Sequence, residues 1–222
     1  MRKQLPKRQQ SGFTLVEIAI VLVIIGLLLG GVLKGQELIN SAKVKSLAND
    51  FRITQTYIYG YQDKFKALPG DDIAAVAHLG AGALPGNGDG VIDGEWRSST
   101  STDESFRFWQ HVRMANLASG PIDTTDTTTF LPTNAEGGRL GITSASKSPN
   151  PALLRGSFAL CSDGILGKFA KQIDTTLDDG KTDSGSIQVF TNQITGNAAT
   201  AVPATGAGAI DDTVKYTVCM AF

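Results

Sequence analysis

The stretch Ser11-Gly12-Phe13-Thr14-Leu15-Val16-Glu17-Ile18-Ala19-Ile20 decides how this chain is read, because a cationic segment ends at a glycine and an apolar one begins at a phenylalanine. Residues Met1 to Gly12 carry Arg2, Lys3, Lys7 and Arg8 and no acid, whereas Phe13 to Leu33 hold one charge, Glu17. Roughly 20 apolar residues cross a bilayer as a helix, so 13–33 is long enough to do so. Lys and Arg beside a span stay on the cytoplasmic side, which directs everything after Leu33 outward. An ionised carboxylate within a span costs about 3 kcal/mol unless it meets a cation, so Glu17 calls for a partner. Gly26 and Gly30, then Gly31 and Gly35, recur at four-residue spacing, which suits close helix approach or simple membrane compatibility.

Beyond Lys34 the pattern becomes amphipathic. Val44, Leu47, Phe51, Ile58 and Phe65 follow one another at three, four, seven and seven residues, and Lys43, Lys45, Asn49, Asp50 and Arg52 fall largely off that stripe. This periodicity predicts a second half of the same helix, residues 34–66, packed on a globular head. As one helix, Phe13 to Lys66 runs about 80 Å. Leu68-Pro69-Gly70 ends it, since proline and the residue before it disfavour helix.

The head, residues 67–222, is large enough for one core of its own. Ile73 to Leu79 reads as a short helix and Phe106 to Leu117 as a second, through Phe106, Trp109, Val112 and Leu117. Gly120 to Pro151 is crowded with Thr, Ser, Asn, Gly and Pro and reads as surface loops or an edge hairpin. Strands are predicted at Leu153–Cys161, Ser186–Thr191 and Val214–Met220, with a helix at Ile165–Leu177 and an exposed loop at Asn192–Asp212. The fold class is α+β, a long N-terminal helix packed on a small antiparallel sheet.

The N-terminal arrangement resembles that of type IV prepilins and of the related pseudopilins of type II secretion. Gly12, Phe13, Thr14, Leu15 and Glu17 fill every position of the core signature, in register with a basic leader and an apolar span. The resemblance implies that a prepilin peptidase cuts after Gly12 and methylates the amine of Phe13. It also implies that Glu17 of an incoming subunit pairs with the Phe13 amine of a neighbour inside an apolar filament core. Residues 1–12 are then a cytoplasmic leader that is removed, and 67–222 a periplasmic or extracellular head. One departure is Lys34, which stands where pilins usually carry a proline. The cluster Gly26, Gly30, Gly31 and Gly35 supplies a similar weakness, since each glycine costs a helix about 1 kcal/mol.

Other readings of this end explain less. A secretory signal peptide has a shorter apolar stretch and an Ala-x-Ala-like cut site after it. A lipoprotein needs a cysteine soon after the span. A plain signal anchor accounts for the hydrophobicity and the leader charge, but not for Gly12, Phe13 and Glu17 together.

Cys161 and Cys219 are the only cysteines, and an outward-facing head lies in an oxidising compartment where they pair. Closing so long a loop stabilises by about 4 kcal/mol in the chain-entropy picture. The resemblance points the same way, since many pilin heads staple their C-terminal segment. The net charge of −1 hides a split: without the four basic leader residues, 16 Lys and Arg face 21 Asp and Glu, a balance near −5. Such an acidic chain has no charge footprint for nucleic acid.

In the head, Gly86-Asn87-Gly88-Asp89-Gly90-Val91-Ile92-Asp93-Gly94-Glu95 alternates oxygen-bearing side chains with glycines. That spacing predicts a calcium loop using Asn87, Asp89, the Val91 carbonyl, Asp93 and Glu95, because hard cations gather six to eight oxygens. The EF-hand pattern is incomplete, with Pro85 and Trp96 at its two anchoring positions. Asp71 and Asp72 are candidates to fold back onto the loop. A second acidic turn, Asp178-Asp179-Gly180 with Asp183, has an analogy in the calcium loops of related pseudopilins. It is read here as a turn bonding its own backbone. His78 and His111 are isolated and read as packing or surface residues, and no nucleophile motif, phosphate loop or zinc signature occurs.

The expected protein is a non-enzymatic structural subunit without an organic cofactor. Its expected partners are copies of itself, prepilin peptidase, the assembly machinery of the inner membrane and, before assembly, inner-membrane lipid; its destination is a cell-surface pilus or periplasmic pseudopilus. The alternatives are a type II secretion pseudopilin and, in another class, a membrane-anchored periplasmic binding or enzyme domain.

Overall fold

The structure, a computed structural model, describes residues 14–196 and 198–222. Two compact units make up the chain, Met1–Ser41 and Ala42–Phe222, and helix α1, Leu15–Phe65, contributes to both. In the first unit every large apolar side chain of α1 from Leu15 to Leu33 is exposed. This part of α1, with a mean hydropathy of 2.8, is long and apolar enough to cross a membrane.

In the second unit α1 buries Val44, Leu47, Ala48, Phe51, Thr54, Ile58 and Tyr61, one face at helical spacing. Phe51 is fully buried, which by area alone favours folding by about 1.5–3 kcal/mol. The helix closes at Lys66, whose backbone turns left-handed at φ 57° and whose N–H bonds the Gln62 carbonyl at 2.9 Å. Gly70 follows with φ 93°, where a Cβ would run into the Glu104 carbonyl, so only glycine lets the chain turn back over the head.

Four further helices follow: α2, Ala75–Leu79; α3, Glu104–Met114; α4, Thr127–Phe130; and α5, Gly167–Leu177. The strands are β1, Leu140–Ser144; β2, Phe158–Leu166; β3, Ile187–Thr191; and β4, Lys215–Ala221. They form one antiparallel sheet in the order β1-β2-β4-β3. Alternate residues divide between its faces. Leu160, Val218, Met220, Ile187 and Val189 join Phe51, Ile58, Phe106, Val112 and Phe169 in the main core beneath α1, α3 and α5. Cys161, Cys219, Phe190 and Ala221 point to the other face and pack with Trp96, Leu154 and Ala201. The sheet is thus covered on both sides, and the two middle strands are buried almost throughout.

The α+β architecture follows the sequence reading, with several shifts. The strand read at Leu153–Cys161 is displaced to Phe158–Leu166, and the stretch read as an exposed loop, Asn192–Asp212, buries Ala201 and Ile210 in the core clusters. Strand β1 lies inside the stretch read as loops or an edge hairpin, and it is an edge strand paired with β2. Its five residues include Gly141, where a Cβ would collide with the Trp96 carbonyl, so the glycine marks close backbone approach within a strand. The predicted start of a helix at Ile165 is also corrected. Ile165 pairs with Tyr216 in β2 after an irregularity following Ser162, and α5 begins at Gly167.

Candidate functional site

The first turn of α1 is built as a capping box. The backbone N–H of Thr14 donates to Glu17 Oε2 at 2.8 Å, and the Thr14 hydroxyl donates to the same oxygen at 2.9 Å. In return the Glu17 N–H donates to Thr14 Oγ1 at 3.2 Å. Glu17 thus has local partners within its own chain, and its negative charge sits at the electropositive end of the helix. The sequence reading places Thr14 in the processing signature but does not assign it as the partner that Glu17 calls for. The signal was legible in Thr14-Leu15-Val16-Glu17, the Thr-x-x-Glu spacing of a capping box.

The two cysteines meet, as the sequence reading expects. Cys161 on β2 faces Cys219 on β4 in direct register, and the two form a disulfide across 58 residues of sequence. Both are fully buried.

The acidic loop is organised from outside itself. Asp71 folds back onto it, its Oδ1 accepting the N–H groups of Gly88 at 2.6 Å and Asp89 at 3.1 Å, and its Oδ2 that of Gly90 at 2.9 Å. Glu104, at the start of α3, accepts from Asn87 N–H at 2.9 Å and Asp93 N–H at 3.0 Å. Asp71 and Glu104 are buried, and burial raises both pKa values against the lowering effect of these donors. Of the five predicted ligands, Asn87 and Asp89 bond each other, and the Val91 N–H donates to Asp89 Oδ1. Asp93 instead pairs with Lys147 at 2.9 Å, and Glu95 accepts from the Gly196 N–H at 3.2 Å. The carboxylates that do converge are Asp71, Asp89 and Glu104, with oxygens within 4.8 Å of one another. Three carboxylates, all of them already accepting backbone donors, offer a partial fit to an ion that gathers six to eight oxygens. Asp72 turns the other way. It accepts from Tyr61 Oη at 2.7 Å and pairs with His78 Nδ1 at 2.7 Å, tying α1 to α2. His111 is fully buried, accepting the Gly70 N–H on Nδ1 and reaching the Leu84 carbonyl through Nε2.

The second acidic turn bonds its own chain, with Asp178 Oδ2 accepting from Ile187 N–H and Asp179 Oδ1 from Lys181 N–H. Beneath it Asp174 on α5 is fully buried, and neither of its carboxylate oxygens has a hydrogen-bond partner among the described residues. Burial pushes its pKa up to about 6; the nearby Gly180 N–H opposes this only in part, and the charges of Asp178, Asp179 and Asp183 reinforce it. The folded state therefore binds this proton more tightly than the unfolded chain does, so the contribution to stability is greatest at low pH and falls as pH rises from about 4 to 6. Asp174→Asn should raise the melting temperature at pH 7.5 and leave it nearly unchanged at pH 4. An equal gain at both pH values would mean that ionisation of Asp174 is not what costs stability.

Residues 7–33 match the prokaryotic N-terminal methylation motif. The N-terminus is a prepilin-type signal. This signal, shared by type IV pilin-like proteins and pseudopilins, marks a substrate of prepilin peptidase, and the apolar part of α1 suits a membrane anchor. Gly12 and Phe13, expected from the sequence to be its processing residues, lie outside the described residues, whereas Thr14 and Glu17 fall within them. No curated protein matches the chain significantly.

Proposed function

We propose that this protein is a structural subunit of a type IV pilus-like filament. It is made as a precursor, cut after Gly12 by prepilin peptidase and methylated on Phe13. It waits in the inner membrane as a single-pass protein with its N-terminus cytoplasmic, and inner-membrane assembly machinery then polymerises it through α1. The observation that carries this reading is the prepilin signal leading into a helix whose apolar side chains from Leu15 to Leu33 are all uncovered. Lipid covers such a surface before assembly, and other copies of α1 cover it afterwards. The separate core and buried disulfide of the second unit suit a head that works outside the cytoplasm.

Electron microscopy of sheared surface fibres, with mass spectrometry of their subunit, tests this directly. Long fibres built of chains that start at methylated Phe13 are the expected result. Gly12→Leu should leave an uncut precursor, because a peptidase gripping extended backbone at a membrane surface has no room for a side chain there. Normal mature protein from that strain would overturn the processing step. A processed protein found only in short periplasmic assemblies would overturn the pilus in favour of a secretion pseudopilus.

A further inference from the structure

At one end of the sheet lies a pocket of about 300 Å³ that all four strands help to shape. Arg139 immediately precedes β1, Asp163 and Gly164 form the irregular stretch of β2, Asn192 and Gln193 follow β3, and Lys215 opens β4. Arg97 reaches in from the loop after the acidic segment. In this antiparallel order the start of β1, the far part of β2, the end of β3 and the start of β4 all fall at the same end, so the fold itself gathers these residues.

The charges do not balance. Three cations, Arg97, Arg139 and Lys215, share a single carboxylate, Asp163, which is buried. Asp163 Oδ1 accepts the Arg139 backbone N–H at 2.5 Å, and its Oδ2 lies in an ion pair 2.9 Å from Arg97 Nε. Arg139 Nη1 donates to the Arg97 backbone carbonyl at 2.5 Å, which ties the Arg139 guanidinium to the segment that carries Arg97. Burial, followed by the neighbouring Arg97 charge, holds the pKa of Arg139 below its usual value, and Asp163 offsets this only in part. Among the described residues, nothing accepts a hydrogen bond from the terminal nitrogens of Arg97, from Nε or Nη2 of Arg139, or from Lys215 Nζ. The Asn192 carbonyl oxygen accepts from the Gly164 N–H, which leaves its amide donors facing the same region. A pocket lined by free donors, with two positive charges in excess, is the reverse of what an acidic chain presents elsewhere.

We propose that this pocket binds a phosphate or sulfate group carried on a small polar molecule of about sugar size. The guanidinium forks of Arg97 and Arg139 suit an oxyanion because such a fork can donate two parallel hydrogen bonds, and Lys215 adds a point charge. The volume sits at the lower end of small-molecule sites and exceeds what a bare oxyanion fills, which leaves room for the group that carries it. This site does not depend on the filament reading, since every residue in it belongs to the second unit.

The test is calorimetric titration of the intact mature chain in a neutral detergent with glucose 6-phosphate, inorganic phosphate and glucose. Saturable binding of glucose 6-phosphate that weakens with added salt is expected, with none for glucose. Tighter binding of the ester than of inorganic phosphate identifies a carried group, and the reverse order would overturn the carrier half of the proposal. Lys215→Glu alters an exposed side chain and should cut affinity about tenfold or more without moving the melting temperature of the free protein. Arg97→Lys keeps a cation beside Asp163 while removing the planar fork, and it should lower affinity as well. If neither phosphate-bearing probe saturates, or if both variants bind as the parent does, the pocket is not an anion site.

Discussion

Cells carrying Glu17→Ala should insert and fold the protein yet make no filaments. Two roles meet in this carboxylate. It caps α1 through Thr14, an interaction of about 1 kcal/mol at an exposed helix start, and it carries the one charge in the apolar stretch. In the proposed assembly that charge pairs with the methylated amine of Phe13 on a neighbouring subunit, where low dielectric makes the attraction strong and an unpaired carboxylate costly. Glu17→Gln separates the two roles, since glutamine serves equally well in a capping box but carries no charge. Both variants should accumulate as membrane-bound monomers with the Cys161–Cys219 disulfide formed, and both should enter the membrane at least as readily as the parent because a charge has been removed. Counting surface fibres and fractionating the subunit in the two strains checks this. Normal fibres from Glu17→Gln would reduce Glu17 to a helix cap, and normal fibres from Glu17→Ala would remove it from assembly altogether.

Loss of the disulfide should have the largest effect on the head. It joins the two middle strands at directly paired positions and closes a loop of 58 residues that holds α5 and β3. Cutting that cross-link releases roughly 4 kcal/mol of chain entropy to the unfolded state, which for a unit of this size lowers the melting temperature by about 8–16 °C. The Cys161→Ala/Cys219→Ala double variant tests this without leaving reactive thiols. Because both sulfurs are buried, a reductant should act on the native protein only slowly and should act quickly in denaturant. A fall of less than about 3 °C in the double variant would show that strand pairing alone constrains the loop.

Much of this was legible in the sequence, for a physical reason: burial imposes period. The α1 stripe of Val44, Leu47, Phe51 and Ile58 declares a helical face, and the short, largely apolar runs of β3 and β4 reflect a sheet covered on both sides. Strand β1 did not declare itself because five residues between glycine- and serine-rich segments hold too few apolar side chains to show alternation. The acidic loop is arranged by contacts that its own spacing does not show. Its every-second-residue oxygens suggested a ring of ligands, but Asp93 and Glu95 are drawn away by Lys147 and Gly196, and the carboxylates that organise the loop are Asp71 and Glu104. Those contacts depend on how Gly70 and α3 are placed, which spacing within the loop cannot encode. The excess of positive charge around Arg97, Arg139 and Lys215 was hidden for the same reason, since the three residues lie far apart along the chain.

The strand order carries a consequence for how the head is made. β4 follows every other strand in the chain, yet it lies between β2 and β3, and neither of those can pair with the other without it. In the proposed topology, where the head crosses the membrane, β2 and α5 arrive before β4 and must wait with an unpaired edge, and Cys161 must wait as a free thiol for Cys219. The sheet can close only once residues 215–221 are delivered, so their arrival times assembly of the head. A ribosome or translocon stalled short of that point would hold an aggregation-prone half-sheet outside the membrane, the kind of intermediate on which periplasmic chaperones and disulfide-forming enzymes act.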